Sequence, residues 1–256
     1  MAAAKLGKVE SPVFSAATVQ QEATESLSLS MGLEHQMRHG IDHGEFRVFY
    51  HPIITLQSGE IAGVEALLRW QHPEQGLLTP KDFLGVAEAS GLILDLDRWM
   101  VREACSKASD LNQRFRRVEP LVLTVNLSSL HFAEASFTGQ LEQILADAGI
   151  NPRHLRIELN ERIVMDNPDS EQMLENLGRL RVQLSVDDYI DSPEAASEEI
   201  MRRLSRLPID RVKINASLIR GLSTGRNIEK IRSIIGMAKS QNLQVVAEGV
   251  ETLEQL

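Results

Sequence analysis

The stretch Val64-Glu65-Ala66-Leu67-Leu68-Arg69-Trp70 decides the fold class, because it places a carboxylate and a guanidinium in an apolar run. It follows Gly59-Glu60-Ile61-Ala62-Gly63, a turn that opens onto apolar residues, so the two segments together predict a buried strand. One glutamate in such a place more often faces solvent or caps a helix. A functional role for Glu65 is favoured because later apolar runs in the chain repeat the arrangement.

Each of these later runs carries a polar, metal-binding or proton-active side chain near its C-terminal end. In chain order these side chains are Asn126, Glu158, Asp187 with Asp188, Lys213 and Glu248. Chance would scatter such groups, whereas a parallel barrel brings the C-terminal ends of its strands together at one mouth. The pattern therefore predicts an α/β fold, a TIM-type (β/α) barrel.

Apolar runs alternate with helical patterns along the chain, which predicts a mostly parallel sheet with right-handed crossovers. The predicted strands are 47–54, 60–68, 121–127, 155–160, 183–188, 211–215 and 244–248, and the predicted helices are 33–43, 80–91, 97–115, 136–148, 170–181, 195–206 and 227–241. Only Thr55 to Gly59 separates the first two strands. That connection is too short for a helical crossover, so the first strand is predicted to be antiparallel.

The domain organisation follows from these patterns. Residues 1–30 are rich in Ala, Ser, Thr and Gln and are predicted to be an N-terminal tail or linker, and residues 31–256 form the barrel domain. Seven strands are predicted where a closed barrel needs eight. The final segment, Thr252 to Leu256, is typical of the first turn of a helix. The barrel is therefore expected to be C-terminally incomplete, truncated before its eighth strand and open at two edges.

Composition restricts the classes of function. The 256 residues suit one large α/β barrel, and the formal net charge of −9 argues against binding to nucleic acid polymers or to an anionic membrane surface. No apolar run approaches the roughly 18 residues of a membrane segment, and no secretory signal is evident, so a cytoplasmic location is expected. Cys105 is the single cysteine and is predicted to be a buried core thiol.

The candidate site residues favour metal chemistry. Oxygen donors alone suit Mg²⁺, Mn²⁺ or Ca²⁺ better than zinc. Lys213 could stabilise developing charge, and Arg69 could bind a phosphate oxygen. Taken alone, Asp187 and Asp188 could instead cap a helix, and Lys213 could lie on the surface. The residues by themselves indicate metal-assisted hydrolysis or enolisation.

Several motifs in order resemble one family. Glu65-Ala66-Leu67-Leu68-Arg69-Trp70 is similar to the signature of the bacterial EAL domain family, which comprises cyclic di-GMP phosphodiesterases and inactive relatives. The resemblance runs from about Gly44 to Leu256. It includes Phe49-Tyr50-His51-Pro52-Ile53, Thr124-Val125-Asn126-Leu127-Ser128, Ile157-Glu158-Leu159-Asn160-Glu161, Asp187-Asp188, Val212-Lys213-Ile214 and Ala247-Glu248-Gly249-Val250-Glu251-Thr252.

The resemblance implies a role for each site residue. It implies that one Mg²⁺ or Mn²⁺ is bound by Glu65, Asn126, Glu158 and Asp187. A second metal or its waters would be held by Asp187, Asp188 and Glu248, while Lys213 assists the attacking water. The dinucleotide would contact Leu67, Arg69 and the position of His51, and Glu161 would steady the loop after the fifth strand. The product would be the linear dinucleotide pGpG, and a homodimer is expected.

The sequence also departs from the family pattern. The family usually follows its paired aspartates with Phe-Gly-Thr-Gly, whereas this chain has Tyr189-Ile190-Asp191-Ser192-Pro193. His51 replaces a glutamine, Asn215 replaces an aspartate, and the eighth strand with its glutamine is absent from the sequence. These departures, above all the degenerate loop at 189–193, predict weak hydrolysis. The alternative is a catalytically inactive EAL-like domain that acts as a cyclic di-GMP receptor or binds a sensor or regulatory protein.

Overall fold

A computed structural model describes residues 16–115, 118–160, 170–187, 202–222, 225 and 227–256. The strands are β1 (Phe46–Ile54), β2 (Ile61–His72), β3 (Gly76–Leu78), β4 (Val122–Asn126), β5 (Leu155–Asn160), β6 (Gln183–Asp187), β7 (Arg211–Ile214) and β8 (Gln244–Ala247). The helices are α1 (Ala16–Asp42), α2 (Pro80–Ser90), α3 (Leu92–Phe115), α4 (Phe137–Ala148), α5 (Ser170–Arg179), α6 (Ala216–Arg220) and α7 (Ile228–Ser240). Short 3₁₀ helices lie at Ser129–Ala133, Pro152–His154 and Leu253–Gln255.

The strands form one mixed sheet in the order β1-β2-β4-β5-β6-β7-β8, with β3 paired to the far end of β2. Strand β1 is antiparallel to β2, and every pairing from β2 through β8 along this path is parallel. The antiparallel first strand is therefore confirmed. Leaving out the short strand β3, the described part of the chain forms an open barrel of seven strands, as predicted. Its two edges are β1 and β8.

The strands alternate between an apolar face and a polar face, because successive side chains of a strand point to opposite sides. On β5 the apolar residues Leu155, Ile157 and Leu159 are completely buried in the core. Between them lie Arg156 and Glu158, which are also buried but belong to the opposite face. The sheet register continues that second face across neighbouring strands and so gathers its polar side chains inside the open barrel.

Helix α1 packs onto β2 through its last turns. Met37 and Gly40 are buried there, and the Trp70 indole Nε1–H donates a 2.9 Å hydrogen bond to Glu45 just after the helix. The Trp70 ring is fully buried and contacts Phe46 with a centroid distance of 5.3 Å. The helix begins at Ala16, well before the predicted start at residue 33. The first turns consist of polar and small residues, so they lack the apolar spacing from which a helix is predicted.

Gly40 is expected to be the one α1 glycine at which a methyl group is costly. A Cβ atom there would lie 2.9 Å from both Trp70 Nε1 and Glu45 Oε2, whereas a Cβ at Gly32 would meet nothing within 4 Å. We expect Gly40→Ala to lower the free energy of unfolding by about 1 kcal/mol through overpacking. The matched Gly32→Ala change should raise it by about 0.5–1 kcal/mol through helix propensity. Urea unfolding of both variants measures this, and equal effects would contradict the close packing at Gly40.

Three further elements differ from the sequence prediction. Strand β3 extends the β1–β2 hairpin by pairing Gly76 with His72, and α6 is a single short helix that follows β7. Helix α3 begins at Leu92, directly after Gly91, whose φ of 77° ends α2 in the left-handed conformation. Most of the predicted helix 195–206 lies outside the described residues. Within the described ranges, no helix is both long and apolar enough to cross a membrane.

The prediction that Cys105 is a core thiol is confirmed. Its side chain is fully buried within α3, and burial raises the pKa of the thiol to about 12. Because the thiolate is the reactive form, we expect negligible labelling by a disulfide reagent at pH 8 in the folded protein. One equivalent should react after unfolding in urea. Rapid labelling of the folded protein would contradict the burial of this side chain.

Candidate metal and phosphate site

Lys213 stands at the centre of the polar cluster. Its Nζ lies 3.0 Å from Glu158 Oε2, 3.3 Å from Glu65 Oε1 and 3.5 Å from Asp187 Oδ2. These residues come from β7, β5, β2 and β6, and the parallel register of the strands brings the four positions to one end of the barrel. The structure therefore brings together four of the charged residues that the sequence singled out, from positions scattered over most of the chain.

Two neutral side chains complete this cluster. Asn126 Nδ2 donates a 3.0 Å hydrogen bond to Glu65 Oε1, which leaves the amide oxygen of Asn126 as a ligand atom. Ser185 Oγ donates a 3.2 Å hydrogen bond to Glu158 Oε1. The Glu158 carboxylate is therefore held from two sides, by Ser185 on one oxygen and by Lys213 on the other. Such fixed orientation is what a preorganised site needs.

The pKa is raised for two groups in this cluster, Glu158 and Lys213. Burial raises the pKa of Glu158 to about 7; Lys213 opposes this shift, while Asp187 and Glu65 add to it. For Lys213, burial works against the charged form, but Glu158, Glu65 and Asp187 outweigh it and raise the pKa above its ordinary value. Lys213 is therefore fully charged at neutral pH. The carboxylates carry more negative charge than this one ammonium group balances.

The donor set fits a hard divalent cation. Three carboxylates, one amide oxygen and an excess of negative charge are the features that Mg²⁺ and Mn²⁺ sites share. The buried hydroxyl of Thr124, the register neighbour of Glu65, has no hydrogen-bond partner in the described structure and could accept a bound water. In the present arrangement the described residues do not form a group of three acidic, His or Cys side chains set to hold a metal. Instead, the ammonium group of Lys213 lies between the carboxylates.

The predicted substrate-contacting residues lie beside this cluster on the β1–β2 hairpin. Arg69 is half-buried, donates to the Leu68 carbonyl oxygen at 2.7 Å, and has its Cζ 5.9 Å from the centre of the Phe49 ring. Phe49 is 47% exposed and pairs in register with Leu67. His51 is exposed and pairs with Glu65. The hairpin therefore offers a guanidinium and an exposed aromatic ring next to the carboxylates.

The remaining candidates lie at the far edge of the sheet or outside the described residues. Glu248 directly follows β8, is exposed, and its backbone N–H donates to Ile214 O at 2.9 Å. Asn215 caps helix α6, since its Oδ1 accepts from Ser217 N at 2.7 Å. An aspartate could accept the same bond, so the asparagine preserves the cap. Asp188, Glu161 and the loop 189–193 lie outside the described residues.

Comparison with known proteins identifies the family. A model of the EAL domain matches residues 34–256, which is most of the chain. The chain belongs to the EAL domain family. The predicted resemblance is thereby confirmed, and the open barrel described above is an EAL domain fold with its signature glutamate, Glu65, in β2.

Among curated relatives of this EAL domain is the cyclic di-GMP phosphodiesterase NbdA of Pseudomonas aeruginosa. It is 37% identical over 226 residues, which cover 88% of this chain and 28% of NbdA. The bifunctional diguanylate cyclase/cyclic di-GMP phosphodiesterase MucR of the same organism is 32% identical over 93% of this chain and 34% of MucR. The chain thus spans about a third of the length of these curated relatives.

Solved structures agree with this family. A complex of the PaMucR phosphodiesterase with c-di-GMP has a TM-score of 0.78 at 33% identity and covers 88% of this chain and 89% of that one. The EAL enzyme Bd1971, bound to cAMP and cyclic di-GMP, has a TM-score of 0.82 at 27% identity over 92% of this chain and 63% of that one.

Two side chains of this EAL domain contribute to the cluster without having been predicted from the sequence. Ser185, in the middle of β6, orients Glu158, and Phe49 on β1 lies against Arg69. A period-two alternation from Asp187 back to Ser185 would have placed the serine on the polar face of β6. No sequence signal indicated that the Phe49 ring would stay exposed, because aromatic residues in strands are usually buried.

Proposed function

We propose that this EAL domain hydrolyses cyclic di-GMP to linear pGpG with the help of Mg²⁺ or Mn²⁺. The observation that carries the proposal is the convergence of Glu65, Glu158 and Asp187 on Lys213 at one end of the barrel. Asn126 contributes its amide to the same cluster. The 37% identity to a curated cyclic di-GMP phosphodiesterase favours this reaction over the enolisation that the residues alone left open.

Each residue has a distinct task in the proposed reaction. Water attacks one phosphorus of the cyclic dinucleotide, the bond from phosphorus to the 3′ oxygen breaks, and that oxygen leaves with a proton. Glu65, Asn126, Glu158 and Asp187 hold the divalent cation, which when bound supplies Lewis-acid polarisation of the phosphate. Lys213 orients the attacking water and balances the negative charge that develops on phosphate oxygens. Asp188 and Glu248 are proposed to bind a second cation or its waters, as catalytic partners of Lys213 and Glu65.

In this proposal the β1–β2 hairpin binds the substrate. Arg69 is proposed to bind a phosphate oxygen, with Leu67 and His51 contacting the dinucleotide beside it. The exposed Phe49 ring, which already lies 5.9 Å from the Arg69 guanidinium carbon, offers a face on which a guanine base can stack. Glu161 is proposed to steady the loop that carries the paired aspartates. A homodimer, a sensor or regulatory protein partner and a cytoplasmic location remain predictions.

The decisive experiment is product analysis on the purified protein. Cyclic di-GMP is incubated with Mg²⁺, with Mn²⁺, or with a chelator, and nucleotides are separated by chromatography. We expect pGpG in both metal samples and intact substrate in the chelated sample. Intact cyclic di-GMP under all three conditions would refute hydrolysis. Product formation in the chelated sample at an equal rate would refute the role of the metal.

A receptor function is the second candidate. It is favoured by the sequence Tyr189-Ile190-Asp191-Ser192-Pro193, which replaces the glycine-containing loop usual in the family. Loss of both glycines removes backbone conformations that a tight loop uses. Calorimetry separates the two candidates, since a receptor binds cyclic di-GMP without turnover. Absence of both nucleotide and metal binding would leave only a protein-interaction module.

A further inference from the structure

A second cluster of titratable and charged side chains lies between α3 and the 3₁₀ helix that follows β4, and two of its members are buried. Asp97 on α3 and His131 in the 3₁₀ helix are 5% and 0% exposed. His131 Nδ1 lies 2.9 Å from Glu134 Oε2, and Arg98 donates to Glu134 Oε1 at 3.4 Å. None of these four residues enters the proposed reaction.

Asp97 makes the contact that ties this cluster to the site. Its Oδ2 accepts a 2.9 Å hydrogen bond from the backbone N–H of Ser128, two residues after Asn126. The same oxygen lies 3.2 Å from His131 Nε2, at ion-pair distance but outside hydrogen-bond geometry. The parallel ladder between β4 and β5 ends at Asn126, and Leu127 N makes one more bond to Glu158 O. Ser128 is therefore the first residue of this loop whose amide bonds to α3 and not to a strand.

Burying a carboxylate is costly unless it gains compensating bonds. Asp97 gains one such bond, from the backbone N–H of Ser128, at the point where the chain leaves the strand that carries Asn126, and the His131 imidazole lies at ion-pair distance from the same oxygen. A buried charge is weak evidence for a role in stability, because apolar residues of similar volume often stabilise a protein equally well. A charged acceptor instead fixes the direction of the loop, because a hydrogen bond to a charged group is stronger and more directional than apolar contact.

We propose that Asp97 is a positioning residue that holds the loop after β4 and thereby sets the amide oxygen of Asn126 for cation binding. The inference rests on the proposed function, since it takes Asn126 to be a ligand of the divalent cation. Asp97 itself touches neither substrate nor cation. Outer groups that orient metal ligands typically change metal affinity or activity by about 10- to 100-fold when removed.

The test compares Asp97→Ala with Asp110→Ala, a matched change at an exposed carboxylate of the same helix α3. Mn²⁺ affinity by calorimetry, kcat and KM for cyclic di-GMP, and thermal stability are measured for each. For Asp97→Ala we expect Mn²⁺ to bind about tenfold more weakly and kcat to fall by a similar factor, with KM changed less than about twofold. Asp110→Ala should match the wild type. Asp97→Asn keeps an oxygen that can accept the Ser128 bond and should restore most of the Mn²⁺ affinity.

Two results would overturn the inference. One is a thermal destabilisation of Asp97→Ala with Mn²⁺ affinity and kcat unchanged, which would assign Asp97 to folding alone. If Asp97→Ala does not fold, Ser128→Pro removes the donor at a residue whose φ of −68° suits proline. The second result that would overturn the inference is a Mn²⁺ affinity that is unchanged in Ser128→Pro.

Failure of the proposed hydrolysis can be distinguished from failure of the proposed role of Asp97. A wild-type protein that binds Mn²⁺ but forms no pGpG refutes hydrolysis, while the Mn²⁺ affinities still decide the role of Asp97. A wild-type protein that binds no Mn²⁺ refutes both.

Discussion

Replacing Glu65 with alanine is expected to lower the rate of cyclic di-GMP hydrolysis by about a thousandfold. Glu65 accepts from Asn126 at 3.0 Å and lies 3.3 Å from Lys213, so its loss removes one proposed carboxylate ligand and the acceptor that orients the Asn126 amide. Removing a single group that stabilises transition-state charge typically costs 10²- to 10³-fold, and here the metal site is lost with it, hence about the upper value. Formation of pGpG in excess Mn²⁺ measures the effect.

Glu60→Ala is the control for this variant. Glu60 is an exposed residue of the same hairpin, just before β2, and its removal should leave the rate unchanged. A Glu65→Ala protein that remains folded and hydrolyses cyclic di-GMP at the wild-type rate would remove Glu65 from the reaction.

Replacing Lys213 with methionine is expected to destabilise the protein strongly in the absence of metal and to make its stability depend on metal. The side chain of Lys213 is 6% exposed and is the common partner of Glu158, Glu65 and Asp187. Leaving buried carboxylates without their cation typically costs about 3–5 kcal/mol. Mn²⁺ should recover much of this loss, because it binds the same oxygens without competition from an ammonium group. Hydrolysis should still fall by about a hundredfold, since Lys213 also acts on the developing charge.

Urea unfolding with a chelator and with Mn²⁺ measures the dependence on metal. Lys239→Met removes an exposed lysine at the end of α7 and should unfold like the wild type under both conditions. If Mn²⁺ stabilises the wild type and Lys213→Met equally, the cation does not bind among these carboxylates.

The site was largely predictable because it repeats a simple placement. A polar residue at the end of each buried parallel strand must reach the same end of the barrel, so Glu65, Asn126, Glu158, Asp187 and Lys213 could be grouped from sequence alone. Their distances could not be predicted. Whether Lys213 points between the carboxylates depends on side-chain direction within the barrel, which strand order does not fix.

The parts that escaped prediction depend on contacts between distant segments. Asp97 looks like an ordinary polar residue of an amphipathic helix, and only the packing of α3 against the loop after β4 reveals its bond to Ser128. Strand β3 is three residues long and exists because β2 continues past Trp70 and offers an edge to pair with. Neither feature leaves a periodic signal in the sequence.

The bond between Lys213 and Glu65 joins residues 148 positions apart, and the other links in the cluster also cross between strands. Contacts of such long sequence separation form late, because the chain must close large loops before they contribute. A partly folded chain that lacks either end of the sheet would therefore have no complete binding site. A cation or nucleotide that binds at this cluster would select only molecules in which the whole sheet has assembled, so the number of binding sites titrated per mole of protein would measure the correctly folded fraction of a preparation.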